Sequence, residues 1–132
     1  MLEPLAVALH AMKLSGIKNG DSVAIVGTGM IGITAAQWAK KLGADNVTVI
    51  GRNESKRAIV EKCDLIYKVG NEKETIGQYN IVLEAVGTPK AIDLSINSAA
   101  PGGTVVFMGN PSGNIELSQN SSPVNSSIIY KK

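Results

Sequence analysis

Apolar positions in this chain come in short runs that alternate with segments of helical spacing. Ser22–Val26 reads Ser-Val-Ala-Ile-Val, a continuous run bounded by Gly20-Asp21 before it and Gly27 after it. Such a run is too short for a helix and, without polar alternation, predicts a strand buried on both faces. Residues 30–42 follow with helical patterning. Ala35, Ala36 and Ala39 permit close packing, and Gly43 is the stop. The same alternation then repeats. Strands are predicted over Val47–Ile50, Leu65–Val69, Asn80–Ala85 and Thr104–Met108. A helix over 54–62 is opened by Asn53, and another over 89–99 follows Gly87-Thr88-Pro89. Pro101-Gly102-Gly103 reads as a turn, and residues 71–78 as a polar loop or single helical turn. At the N-terminal side, Leu5, Leu9 and Met12 predict a helix over 4–15 that ends at Gly16.

Strand–helix alternation of this kind predicts an α/β fold with a doubly wound parallel sheet covered on both faces. Residues 1–16 read as a connecting helix and 17–132 as one domain. Its end, 118–132, reads as a loop-like tail because Ser118–Ser127 is rich in Ser and Asn. A doubly wound sheet has a sixth strand, and none is predicted after Met108. The expectation is a domain that stops before its last strand.

Composition narrows the picture only slightly. At 132 residues there is room for one modest domain, and 44% hydrophobic with 4% aromatic content points to an aliphatic interior. Thirteen basic against 11 acidic residues leave a net charge of +2, and the longest basic runs are pairs, so no nucleic-acid surface is expected. Cys63 is the single cysteine, which excludes a disulfide framework and a self-contained zinc site. No signal-peptide pattern is visible, and no apolar stretch approaches the roughly 20 residues of a membrane span. A cytoplasmic, membrane-free protein is the expectation.

The chemistry concentrates at Gly27-Thr28-Gly29-Met30-Ile31-Gly32. A G-x-G-x-x-G pattern is weak alone, but here it lies between a predicted strand and a predicted helix, the context of a Rossmann-type dinucleotide site. Gly27 permits the tight turn, Gly29 lets backbone approach a pyrophosphate, and Gly32 allows helix and strand to pack closely. The exposed N–H groups and positive end of the helix face the anion. The plainer alternative is a glycine-rich turn with no ligand. No Gly-Lys-Ser/Thr follows, so this is not a P-loop.

Domains of this kind that hold NAD carry an Asp or Glu about 20 residues further on, where it accepts from the ribose hydroxyls. Here that place holds Gly51-Arg52. No carboxylate stands there to repel a 2′-phosphate. Arg52 can pair with one, and Lys56 adds a second positive charge one turn into the next helix. Glu54 is an alternative ribose acceptor three residues late. Both cations are otherwise ordinary surface charges. NADP is expected over NAD.

Beyond the fold, several stretches resemble the zinc-dependent medium-chain alcohol dehydrogenases. They are Glu3-Pro4-Leu5-Ala6-Val7-Ala8-Leu9-His10-Ala11, Gly20–Gly27, Lys41-Leu42-Gly43-Ala44, Glu84-Ala85-Val86-Gly87, and Gly102-Gly103-Thr104-Val105-Val106 through Gly109. The likeness covers residues 2 to about 117 and is greatest to the polyol branch of sorbitol, threonine and galactitol-phosphate dehydrogenases. It implies pyrophosphate contacts at Gly27, Thr28, Gly29, Met30 and Ile31, and ribose contacts at Gly51, Arg52 and Lys56. Val86 and Gly87 would lie along the cofactor, with Met108 and Gly109 near the nicotinamide. In the intact enzyme Glu3 would belong to the catalytic zinc site. In this chain its plainer reading is a first-turn helix carboxylate.

The family's remaining zinc ligands, a cysteine and a His-Glu pair, would lie in a catalytic domain preceding Leu2. This chain is therefore expected to bind cofactor without zinc and without turnover, while the intact enzyme passes hydride between a small alcohol or polyol and the nicotinamide. Cys63 and Trp38 read as packing residues, Met12, Met30 and Met108 as core or pocket lining, and His10 as a helix residue without ligand partners. A homo-oligomer is expected, because an unpaired sheet edge tends to associate. Two alternatives remain: a stand-alone nucleotide-sensing regulatory module and, more weakly, a methyltransferase.

Overall fold

The computed structural model describes residues 10, 12–70, 77–108 and 127–132. Its centre is a six-stranded sheet of order β3-β2-β1-β4-β5-β6. The strands are β1 (Ser22–Val26), β2 (Asn46–Gly51), β3 (Ile66–Val69), β4 (Tyr79–Glu84), β5 (Ala99–Met108) and β6 (Ser127–Lys131). The first five are parallel, with Val23 opposite Val47 on one side and Ile81 on the other.

Helices α1 (Met30–Lys41), α2 (Arg57–Lys62) and α3 (Pro89–Ser98) connect them. Parallel strands need such crossovers, and these bury both faces of the sheet. On one face Ala35, Ala36 and Ala39 of α1 and Val60 of α2 pack on Val23, Ile25, Val47, Val49, Ile81, Leu83 and Val106, with Met12 alongside. On the other, Ala91 of α3 packs on Ala24, Val26, Ile50, Val82, Val105 and Phe107. The unbroken apolar runs in the sequence have their explanation in this double cover.

Local signals act as expected. Thr88 caps α3 by accepting from the Ala91 N–H at 3.2 Å, with Pro89 in the first turn. α1 closes in a Schellman motif, Ala44 N–H to Ala39 carbonyl and Gly43 N–H to Lys40 carbonyl, both 3.1 Å. Lys40 then reaches the Asp64 carboxylate at 2.8 Å and stabilises the negative end of the helix.

Three readings change. Pro101-Gly102-Gly103 lies inside β5 and forms a bulge, because the β4–β5 register shifts between Tyr79 and Ile81. The segment over 54–62 begins as a 3-10 turn, Glu54–Lys56, before α2. The tail is not loop throughout, and the sheet does not stop at Met108 as expected: residues 127–131 form a sixth strand, β6, antiparallel to β5, with Val106 opposite Ile129. Its sequence, Ser-Ile-Ile-Tyr-Lys, has strand-forming residues, but only the free edge of β5 gives them a partner. Residues 71–76 and most of the predicted 4–15 helix lie outside the described residues, though His10 and residues 12–15 are helical.

Candidate functional site

The site is built where β1 ends and the chain turns into α1. Gly27 has φ of +126°, a left-handed conformation that disfavours any side chain, and its N–H donates to the Ile50 carbonyl at 2.9 Å. A Cβ on Gly27 would also stand 3.0 Å from Val86 Cγ2. One helical turn on, a Cβ on Gly32 would lie 2.5 Å from the Gly27 carbonyl oxygen. Gly29, between them, faces open space: nothing lies within 4 Å of its Cβ position. Two glycines are thus required by the protein's own packing, and the third is left for something outside it.

α1 starts at Gly29 with no side-chain cap and no acidic residue in its first turn. Its first N–H groups and positive dipole end therefore remain available to an anion. Met30 (58% exposed) and Val86 (38%) place apolar surface beside them. These observations fit a dinucleotide pyrophosphate.

At the end of β2 the arrangement depends on side chains. A Cβ on Gly51 would lie 1.9 Å from the Tyr67 hydroxyl oxygen and 2.7 Å from Cζ. Tyr67 is buried, donates to the Asn53 carbonyl at 2.6 Å, and has the Arg57 guanidinium over its ring at 5.3 Å. Burial first, and then the nearby Glu54 charge, push the Tyr67 phenol up. Arg57 holds Glu54 through two bonds, at 2.5 and 3.0 Å, and donates to the Tyr67 carbonyl at 3.1 Å. That hydrogen bonding holds the Glu54 carboxyl below the usual range. Glu54, the alternative ribose acceptor, is therefore already engaged. The Arg52 and Lys56 side chains are exposed and make no hydrogen bond or ion pair among the described residues.

A third segment leaves β4. The Ala85 N–H donates to the Val26 carbonyl at 2.9 Å, so this exit runs beside Gly27. Glu84 is fully buried; its Oε2 accepts from the N–H groups of Val86 at 2.7 Å and Gly87 at 2.6 Å. Burial pushes its carboxyl up, and the two N–H bonds partly oppose that shift.

The predicted residues Gly27, Thr28, Gly29, Met30, Ile31, Gly32, Gly51, Arg52, Val86 and Gly87 thus gather at the carboxyl ends of β1, β2 and β4. There the strand order reverses direction, which is where open α/β sheets hold their ligands. Lys56 is in the 3-10 turn just beyond. Met108, at the end of β5, is buried. Glu3 and Gly109 lie outside the described residues. Cys63 is half-buried against the core, as is Trp38, whose ring carries the Lys41 ammonium at 5.4 Å. Among the described residues no three His, Cys, Asp or Glu side chains converge as a metal site, so they provide no set of zinc ligands. None of the described helices is long and apolar enough to cross a membrane.

Sequence reasoning missed Tyr67, Arg57 and Glu84. Tyr67 lies within the predicted strand Leu65–Val69 and Arg57 within the predicted helix over 54–62, with no further signal on either. Glu84 did carry a signal: a carboxylate closing an apolar run that the sheet buries on both faces.

A family model described as zinc-binding dehydrogenase matches residues 30–131. The D-xylulose reductase of Scheffersomyces stipitis is 34% identical over 127 residues, covering 89% of this chain and 35% of that protein. Galactitol 1-phosphate 5-dehydrogenase of Escherichia coli K12 is 28% identical, over 82% of this chain and 34% of its own length. The chain thus spans about a third of these relatives. Among solved structures, one described as a zinc-binding dehydrogenase from Sinorhizobium meliloti 1021 bound to NADP superposes with a TM-score of 0.77 at 32% identity. It covers 92% of this chain and 39% of that one. Galactitol-1-phosphate dehydrogenase from Escherichia coli gives 0.74 at 26% identity, over 89% and 37%.

Proposed function

The chain belongs to the zinc-binding dehydrogenase family, and from that premise we propose that it is the part of an alcohol or polyol dehydrogenase that holds the nicotinamide dinucleotide, NADP in preference to NAD. The observation that carries this reading is the unequal packing of the three glycines. Gly27 and Gly32 are closed by neighbouring atoms, while Gly29 and the uncapped start of α1 open outward. Thr28, Met30 and Ile31 complete the pyrophosphate turn, Val86 and Gly87 flank the cofactor, and Met108 and Gly109 lie toward the nicotinamide.

The phosphate preference is supported by the end of β2. Gly51 has no carboxylate, Glu54 is bound by Arg57, and Arg52 and Lys56 project as uncommitted cations. When bound, the nicotinamide supplies the hydride acceptor or donor. The protein's own part is to fix the cofactor's orientation with backbone donors and to keep its phosphates neutralised. Zinc and the walls of the substrate pocket belong, on this reading, to the rest of the enzyme, with Glu3 beside the metal. The substrate class is a small alcohol or polyol, as in the named relatives. We further propose a cytoplasmic homo-oligomer. Sedimentation across a concentration series tests the assembly, and a monomer throughout would reject it.

Calorimetric titration of the chain with NADP(H) and NAD(H) tests the reading. Binding of both is expected, tighter for NADP(H), with no alcohol oxidation by the chain alone. Tighter NAD(H) binding would reject the phosphate preference, and no binding of either would reject the site. No observation favours the nucleotide-sensing alternative.

A further inference from the structure

We propose that Glu84 is a positioning residue for cofactor binding, its buried carboxyl holding the Val86–Gly87 turn against the first glycine of the phosphate turn. A carboxyl without solvent contact is costly unless hydrogen bonds compensate. Glu84 has that environment: it lies in register between Val26 of β1 and Phe107 of β5, and no part of it is exposed. An apolar residue would suit those neighbours better, so the carboxyl must satisfy something that an apolar side chain cannot.

What it satisfies is visible where β4 leaves the sheet. The Ala85 N–H still finds a strand carbonyl, that of Val26. Beyond it β1 has already turned away at Gly27, and the next two N–H groups have no ladder partner. Both point at Glu84 Oε2, at 2.7 and 2.6 Å. One side-chain oxygen thus substitutes for the missing strand. Val86 is fixed by this bond, and its Cγ2 stands 3.0 Å from the Cβ position of Gly27. The two turns are in contact, so displacing the first displaces the second.

Glu84 Oε1 has no partner among the described residues. With both N–H donors on Oε2, any proton the group carries resides on Oε1. Burial favours that protonated form. Because both N–H groups donate to one oxygen, the role requires an acceptor at Oε2, which Gln supplies and an isosteric apolar side chain does not.

This inference rests on the reading that residues 27–32 and 86–87 hold a dinucleotide, and the test separates the two. Glu84→Met keeps the volume and removes the acceptor; Glu84→Gln keeps the acceptor. Titration of each variant with NADP and NAD at pH 7 is expected to show about tenfold weaker binding of both cofactors to Glu84→Met, and Glu84→Gln within about threefold of wild type. Exchange of the Val86 and Gly87 amide hydrogens is expected to be at least about tenfold faster in Glu84→Met and unchanged in Glu84→Gln. Should Met prevent folding, Glu84→Asp, whose carboxyl falls one methylene short, is expected to show the same weakening. Wild-type affinity in Glu84→Met, or equal loss in Glu84→Gln and Glu84→Met, would overturn the proposal. If wild type binds neither cofactor, the functional reading fails, and the exchange rates still decide whether Glu84 holds the turn.

Discussion

The turn over residues 27–32 and the segment over 51–57 flank the same site but are built by opposite means. In the first, backbone does the work. Gly27 and Gly32 exclude side chains by close approach, and no side chain caps the helix that follows. In the second, a side-chain network does it. Tyr67 occupies the space a residue at 51 would need, Arg57 stacks on Tyr67 and grips Glu54, and Arg52 and Lys56 are left over. The difference teaches where specificity can reside. A backbone cradle recognises a pyrophosphate common to many cofactors, whereas an arrangement of charged side chains can tell one ribose from another.

The largest effect is expected at Gly32. Gly32→Val drives a side chain into the Gly27 carbonyl and should cost about 3 kcal/mol in chemical denaturation. Gly29→Ala, which meets open space, should stay within about 0.5 kcal/mol yet weaken dinucleotide binding about tenfold. Equal stability losses at the two positions would erase the distinction between packing glycine and ligand glycine. Next comes the other side of the comparison. Gly51→Asp should cost about 2 kcal/mol in wild type and less than half of that when Tyr67 is Ala, as a double-mutant cycle would measure. Additive losses would mean that Tyr67 does not confine residue 51.

A smaller effect is expected at the cations. Arg52→Ala should weaken NADP binding about tenfold, leave NAD within about twofold, and reduce the salt dependence of the NADP affinity alone. Equal loss for both cofactors would show that Arg52 does not read the phosphate. The smallest effect is a pH dependence. Because burial raises the Glu84 carboxyl in the folded state, the unfolded chain loses that proton first as pH rises. The group's contribution to stability is complete below the ordinary glutamate range and declines as pH climbs through the raised folded value. The melting temperature of Glu84→Gln should therefore gain on that of wild type between pH 4 and pH 7; a constant difference would mean that the group is not shifted.

Much of the fold was legible along the chain because its signals are local. Short apolar runs, Gly43 after α1, and Thr88-Pro89 before α3 each act within a few residues. The glycine spacing of the turn over 27–32 is equally local. What escaped depended on distant neighbours. Tyr67 matters through Gly51, 16 positions away, and β6 exists because β5 has a free edge. Glu84 stands in the stretch Glu84-Ala85-Val86-Gly87, and nothing nearby along the chain shows that β1 has turned away where Val86 and Gly87 need partners.

The sequence by itself determined the alternation of strands and helices, the glycine-rich turn between β1 and α1, and the absence of a carboxylate at residue 51. These follow from periodicity, turn chemistry and residue identity, which are properties of neighbours along the chain. Tertiary structure alone decided which glycine is closed and which is open, which carboxylates are already engaged, and which cations remain available. Those depend on which atoms the crossovers bring within a few ångströms of one another, and no spacing along the chain records that.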